Sequence, residues 1–307
     1  MISNNDPLPN KRFFQTSYVK GLCLALTGTA LMSLKPILIK IAYQFGGNVQ
    51  SVMLLRAISA LPIYLLVLFT LITKYDKSER LKQDGWKAAF LGVFGYYVTV
   101  YLDLASLNHI SAQLERLIIF LYPSIVIMLS WRLYKQRPTK RVIIAVITGY
   151  LGVTAIVIGE PTGASSEAFL GGGLAFASAF VFACYLLSSK PLINRMGSQL
   201  FTSVGMASAS IAILLHFFIL DGSFDSWSPT LIGLGVILGL VCTVLPAYLI
   251  AAGMEILTPA EVSLSANIGP IITAGAAVYV LGEAFTTLHA IGLLIVVLSM
   301  LVMCSRQ

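Results

Sequence analysis

The chain has 307 residues, 57% of them hydrophobic and 11% charged, with a formal net charge of +7. A soluble domain carries about 25% charged residues, so this composition, with a mean hydropathy of +0.87, excludes an ordinary soluble domain and points to an integral membrane protein. The excess charge does not imply nucleic acid, because the basic residues fall where a membrane topology needs them.

In chain order, residues 1–18 form a polar segment expected to lie in the cytoplasm. The apolar run behind it is long enough to span a bilayer, which argues against a cleavable signal peptide. A spanning helix needs about 20 largely apolar residues, and the sequence divides into ten such stretches. They are 19–43, 49–73, 87–106, 111–133, 141–159, 170–190, 200–220, 229–252, 258–281 and 287–304. The fold expected is an all-α integral membrane protein of ten transmembrane helices.

Lysine and arginine in short loops mark the cytoplasmic side. With the N-terminus inside, the loops around Lys11, Lys20, Lys74–Lys87, Arg132–Arg141, Lys190–Arg195 and Arg306 fall on one side. The opposite loops carry Glu160, Glu167, Asp221, Asp225 and Glu283 and no base. Both termini are therefore expected in the cytoplasm of a plasma (bacterial inner) membrane protein. Four bases remain inside spans: Lys35, Lys40, Arg56 and Arg116.

An internal repeat is visible. Residues 101–131, YLDLASLNHISAQLERLIIFLYPSIVIMLSW, align without gaps on 248–278, YLIAAGMEILTPAEVSLSANIGPIITAGAAV, placing Tyr101 on Tyr248, Ala105 on Ala252 and Pro123 on Pro270. LKPILIK (34–40) corresponds to SKPLINR (189–195). Five spans per half is an odd number, so the halves 19–159 and 168–304 are expected to enter the membrane from opposite sides, as inverted five-helix repeats. The charged loop after the fourth span and its equivalent after the ninth, which has Glu283 and no base, agree with that.

With the alanine and proline pattern of 105–123 and 252–270, Lys40 closing the first span, Arg56 in the second and LGEAFTTLHAIGLLIVVLSML (281–301) at the end, the chain resembles the EamA-type branch of the drug/metabolite transporter superfamily. The resemblance covers about residues 20–304 and implies ten helices in two repeats, with Gly282 and Glu283 at the hinge between the last two. The first repeat departs from the pattern, with Gln136 where the acid would stand. The resemblance implies transport and leaves the cargo open among amino acids, other metabolites and nucleotide-sugar-like molecules.

A charge at a helix centre costs about 2.5 to 3.5 kcal/mol on insertion scales, so one that persists faces protein or water. Asp103, Glu115, Arg116, Arg56 and Lys40 share the outer half of the membrane, and Lys35 lies nearer the midplane. Helical neighbours point about 100° apart, so Glu115 and Arg116 must find partners on other helices. Asp103 with Arg116 or Arg56, and Glu115 with Lys40 or Lys35, are the pairs expected, either as structural salt bridges or as a layer that binds cargo or relays protons. Four bases against two acids favour cargo bearing a carboxylate or phosphate, or a zwitterion.

Phe90, Phe94, Tyr97 and Tyr101 recur at helical spacing, either as packing or as the lining of a pathway. Tyr248 and Asn267 are polar groups at mid-span, where kinked backbone helps form sites. The expected substrate-binding or coupling residues are thus Lys35, Lys40, Arg56, Tyr97, Tyr101, Asp103, Glu115, Arg116, Tyr248 and Asn267. Glu261 is a further carboxylate able to carry a proton, the coupling ion that this reading allows.

No Walker sequence is present, so ATP cannot drive transport directly. His109, His216 and His289 are isolated, Cys23, Cys184, Cys242 and Cys304 lack metal-ligand spacing, and no cofactor, metal or catalytic set is expected. The Gly235–Gly239 spacing suits close helix contact, including that of a homodimer, but recurs by chance in membrane segments. The function expected is secondary export of a small polar or amphipathic metabolite, an amino acid or related carboxylate first of all, with a nucleotide-sugar, phosphate-bearing or lipid-linked cargo as the alternative.

Overall fold

The computed structural model describes residues 11–134, 140–159, 165–220, 227–257, 262 and 268–304. Among them there are helices and no strand. Seven helical stretches are long and apolar enough to cross a membrane: Tyr18–Gln44, Val49–Thr73, Ser78–Ser106, Ala112–Arg132, Ser166–Met196, Ser198–Ile219 and Pro229–Ile256. Ile268–Leu281 and Thr287–Leu298 are shorter apolar helices, and Lys140–Gly159 is a further helix. Large apolar side chains such as Leu66, Phe69, Phe218 and Ile219 point outward, as a surface facing lipid requires.

In chain order the elements are α1 (Lys11–Ser33), α2 (Lys35–Gln44), α3 (Val49–Thr73), α4 (Ser78–Leu91), α5 (Val98–Ser106), α6 (Ala112–Ile119), α7 (Tyr122–Tyr134), α8 (Lys140–Gly159), α9 (Ser166–Met196), α10 (Ser198–Leu220), α11 (Pro229–Gly239), α12 (Leu245–Ile256), α13 (Ile268–Ala276) and α14 (Thr287–Cys304). Their ends are sequence-encoded. Asn48 and Ser51 exchange bonds as a capping box for α3, and Ser111, Ser165 and Ser228 each accept the backbone N–H three residues on. Pro36 cannot donate to the ladder, and the first long helix breaks at Leu34 into α1 and α2. A second break, at Phe120 and Leu121, precedes Pro123.

Widened π-helical turns, Gly92–Tyr97 and Leu240–Val244, join α4 to α5 and α11 to α12. These two positions correspond when the offset that aligns 101–131 on 248–278 is carried back toward the N-terminus, and such turns occur frequently at functional sites. The glycine at each is held by close packing. A Cβ on Gly92 would stand 1.9 Å from the Gly205 carbonyl oxygen of α10, and one on Gly239 would stand 2.0 Å from the Ser59 hydroxyl of α3.

The packing of one half recurs in the other. α1 lies along α12, and α9 along α5; α3 touches α11, and α10 touches α4; α1 meets α13, and α9 meets α6 and α7. The two remaining large contacts, α3 with α10 and α8 with α14, join counterparts across the halves. The glycine spacings are used within this scaffold. Gly235 and Gly239 seat α11 on Leu55 and Ser59 of α3, Gly152 packs on Ile295, and Gly171 packs on Ile110. The Gly235–Gly239 spacing therefore supplies an internal contact rather than a free dimer face.

Candidate substrate cavity

Where α1 breaks, Lys35 begins α2 and sends Nζ to Asp103 Oδ2 of α5, 2.5 Å away. Both side chains are almost fully buried. The opposite oxygen, Asp103 Oδ1, has no partner among the described residues. Glu115, in the first turn of α6, is 0% exposed, and neither of its carboxyl oxygens has a partner there. Its carboxyl group lies within hydrogen-bonding reach of that of Asp103.

Two arginines complete the layer. Arg116 donates from Nη2 to the Ser33 hydroxyl at 3.2 Å, while its Nε is buried and unpartnered among the described residues. It packs on Gly269, where a Cβ would fall 2.9 Å from Nη2. Arg56 donates from Nε and Nη2 to the Thr243 hydroxyl in the π-turn before α12, at 3.3 and 3.0 Å, leaving Nη1 unpartnered among the described residues. Beyond the charges, Ile37, Ile39, Met53, Leu104 and Leu107 form a packed core that fills the space.

On the opposite side of the charges the interior is hollow. A cavity of about 90 Å³ reaches Lys35, Asp103 and Arg116, with Thr29, Thr99 and Ser178 as neutral polar lining. It shares Met32, Tyr96, Phe182, Leu186, Cys242 and Ile250 with a second cavity of about 70 Å³, so the two form one tract. The second runs past Tyr185 and Phe201 toward Ile193 and Met254, near the ends of α9 and α12. One water occupies roughly 10–15 Å³ on such a measure, so the tract has room for a small solute. One end is charged and the remainder is mainly apolar and aromatic, with scattered hydroxyls. A third hollow, of about 560 Å³ and lined by Lys77, Gln199, Tyr248 and Glu255, lies at the face where the tract ends.

Of the residues expected from sequence, Lys35, Asp103 and Arg116 line the tract. Arg56 stands behind Thr243, which lines it, and Glu115 stands behind Asp103. Lys40 is half-buried on α2, outside the lining. The pairing differs from expectation: Asp103 takes Lys35 rather than either arginine, and neither lysine hydrogen-bonds to Glu115.

Tyr97 and Tyr101 lie away from the tract. Tyr97 Oη is 2.8 Å from His216 Nδ1, and the Tyr101 ring sits 5.6 Å from that imidazole. Phe94, on the same stripe, is 60% exposed, so this stripe faces outward. The lining of this helix is the adjacent face, Tyr96, Thr99 and Asp103. Counting back from Asp103 by four and seven residues reaches that face, and this spacing is the signal in the sequence that marks it. Tyr248 shares a hydrogen bond of 2.7 Å with Ser203 and borders the third hollow rather than the tract. Asn267 and Glu261 lie outside the described residues, as does Gln136.

Two contacts that sequence patterns do not reveal tie the ends of the helices. Glu283 accepts from the N–H groups of Ala112 and Gln113 at 2.9 and 3.3 Å, capping the N-terminus of α6, where a carboxylate is favoured. Lys190 donates to the carbonyls of Met254 and Leu257 at 2.5 and 3.2 Å, at the C-terminus of α12. No group of three His, Cys, Asp or Glu able to hold a metal occurs among the described residues.

The model of the EamA-like transporter family matches twice, over residues 19–158 and 169–305. The chain belongs to the EamA-like transporter family. A transporter of Bacillus subtilis described as uncharacterized, YcbK, is 27% identical over 89% of this chain and 88% of its own. The uncharacterized inner membrane transporter YicL of Salmonella typhimurium is 26% identical over 72% of this chain and 73% of its own. A crystal structure 18% identical superposes with a TM-score of 0.66, covering 92% of this chain and 96% of that one, and so shares its fold. This EamA-family protein is a multi-pass membrane transporter, and the tract is its candidate substrate site.

Proposed function

We propose that the protein is a secondary exporter that carries a small amphipathic metabolite, an amino acid or related carboxylate, out of the cytoplasm by alternating access. The halves 19–159 and 168–304 are its two inverted five-helix repeats, rocking about the charged layer. The apolar runs of the sequence support the ten-helix arrangement, and the loop charges support both termini lying on the cytoplasmic face of a plasma (bacterial inner) membrane. The recurrence of the main helix contacts between the halves supports the repeat.

One observation carries the cargo reading. The Arg116 guanidinium, whose buried Nε has no partner among the described residues, stands at one end of a tract whose walls are Met32, Tyr96, Phe182 and Leu186. A buried guanidinium with spare donors is suited to a planar carboxylate, and the aromatic walls suit an apolar side chain. Lys35 adds a second positive group beside it, and Asp103 an acceptor for an amine. The same cations are compatible with a phosphate, so a nucleotide-sugar or lipid-linked cargo is the second reading.

Proteoliposomes preloaded with a panel of amino acids, nucleotide sugars and polyprenyl phosphates test it. Faster release of apolar amino acids than from empty-vector liposomes is the expected outcome, with a rate that responds to a pH gradient if protons are the coupling ion. Release confined to the phosphate-bearing solutes would replace the first reading by the second, and unchanged release of every solute would end both.

A further inference from the structure

The two carboxyl groups at the head of the tract have more oxygens than the donors bonded to them satisfy. Lys35 occupies one oxygen of Asp103. Asp103 Oδ1 and both oxygens of Glu115 are buried and without a donor among the described residues, yet the two carboxyls are within hydrogen-bonding reach. Ionised carboxylates only accept, so two of them side by side repel and cannot hydrogen-bond to each other. A proton between them converts the repulsion into a hydrogen bond.

None of the groups surrounding the pair hydrogen-bonds to its three free oxygens among the described residues. From α2 come Lys35 and Tyr43, from α3 Arg56 and from α6 Arg116. Lys35 is engaged by Asp103, and Tyr43 donates to the Leu104 carbonyl at 2.8 Å. Arg56 and Arg116 donate to the hydroxyls of Thr243 and Ser33, and their remaining buried nitrogens, Arg56 Nη1 and Arg116 Nε, are not bonded to either carboxyl among the described residues. α9 and α13, which pack on α6, contribute Ser178 and Thr273, whose hydroxyls donate to the carbonyls of Thr99 and Ser33. No ammonium or guanidinium nitrogen is bonded to Glu115 among the described residues.

We propose that Asp103 and Glu115 form a proton-binding site, holding one proton between their carboxyl groups at neutral pH. The proton belongs to the pair rather than to either residue. Asp103 lines the tract and Glu115 does not, so the pair joins a proton held in the packed interior to the cavity through Asp103 and its partner Lys35. Use of this proton as the coupling ion rests on the transport reading above; its presence does not, and it is read without cargo.

Infrared spectroscopy of the purified full chain in lipid measures it. The wild type is expected to show a protonated-carboxyl C=O band at neutral pH that shifts in D₂O and fades as the pH is raised. Glu115→Gln should remove the band, and Glu115→Asp should keep it at a changed frequency. Absence of the band from the wild type at neutral pH overturns the proposal, whatever the variants do. Persistence of an unchanged band in either folded variant assigns it elsewhere and also overturns it. Failed transport with the band present would leave the proton site standing and remove the transport reading alone.

Discussion

Lys35–Pro36 and Lys190–Pro191 stand at corresponding places in the first long helix of each half, and they behave differently. At Lys35 the helix breaks, and the ammonium meets a buried carboxylate, Asp103. At Lys190 the helix continues through Pro191, and the ammonium meets the backbone carbonyls of Met254 and Leu257. The residue that aligns with Asp103 is Ile250, and Val262 and Ser263 align with Glu115 and Arg116. The scaffold is thus shared, down to the paired π-turns and their glycines, while among the described residues the charged layer is built by the first half. A lysine that only ends a helix is structural, whereas one that holds a buried acid beside a cavity is part of a site.

The largest expected effect separates the two lysines. Lys35→Met leaves Asp103 buried without its cation, and removing one partner of a buried pair costs about 3–5 kcal/mol. Lys190→Met removes bonds to carbonyls, costing about 1–3 kcal/mol. Denaturation of both variants in mixed micelles measures the gap, and equal losses would erase the distinction. Adding Asp103→Asn to Lys35→Met should recover part of the loss, because the uncompensated charge goes with it.

The scaffold itself is tested at the π-turns. Gly92→Ala and Gly239→Ala each place a methyl group into the facing helix, and overpacking of this kind costs about 1–3 kcal/mol. Gly173→Ala meets nothing within 4 Å and should be neutral or slightly stabilising. Gly92 meets a backbone carbonyl at 1.9 Å, whereas Gly239 meets a serine hydroxyl that can turn aside and the Arg56 carbonyl only at 2.8 Å, so the first substitution should cost more. The smallest effect is Tyr97→Phe, which loses one hydrogen bond to His216, about 0.5–1.5 kcal/mol, and should leave transport intact. Loss of transport in that folded variant would return the outward stripe to the site.

Much of this is legible in the sequence for a physical reason. Apolar runs must be long to cross lipid, and charges inside them are costly enough to stand out, so Lys35, Asp103, Glu115 and Arg116 are conspicuous from the amino-acid order alone. Their partners are not. Which base reaches Asp103 depends on how far the break at Leu34 turns α2, and helical spacing does not report that rotation. The aromatic stripe misleads similarly: spacing identifies a face of the helix, but Phe94 looks outward and Tyr97 packs on His216 while Tyr96 and Thr99 look in. Glu283 reads in sequence as part of a hinge, and its capping of α6 depends on two loops meeting in space.

The central claim is that Arg116 receives the carboxylate of the cargo. Binding of an apolar amino acid and of its neutral-headed amide, which keeps the amine and side chain, compared in the wild type and in folded Arg116→Ala, tests it most directly. A hydrogen bond to a charged group contributes about 1.5–3 kcal/mol, so the wild type should prefer the acid by about tenfold or more, and the variant should lose that preference. An unchanged preference in folded Arg116→Ala would contradict the account.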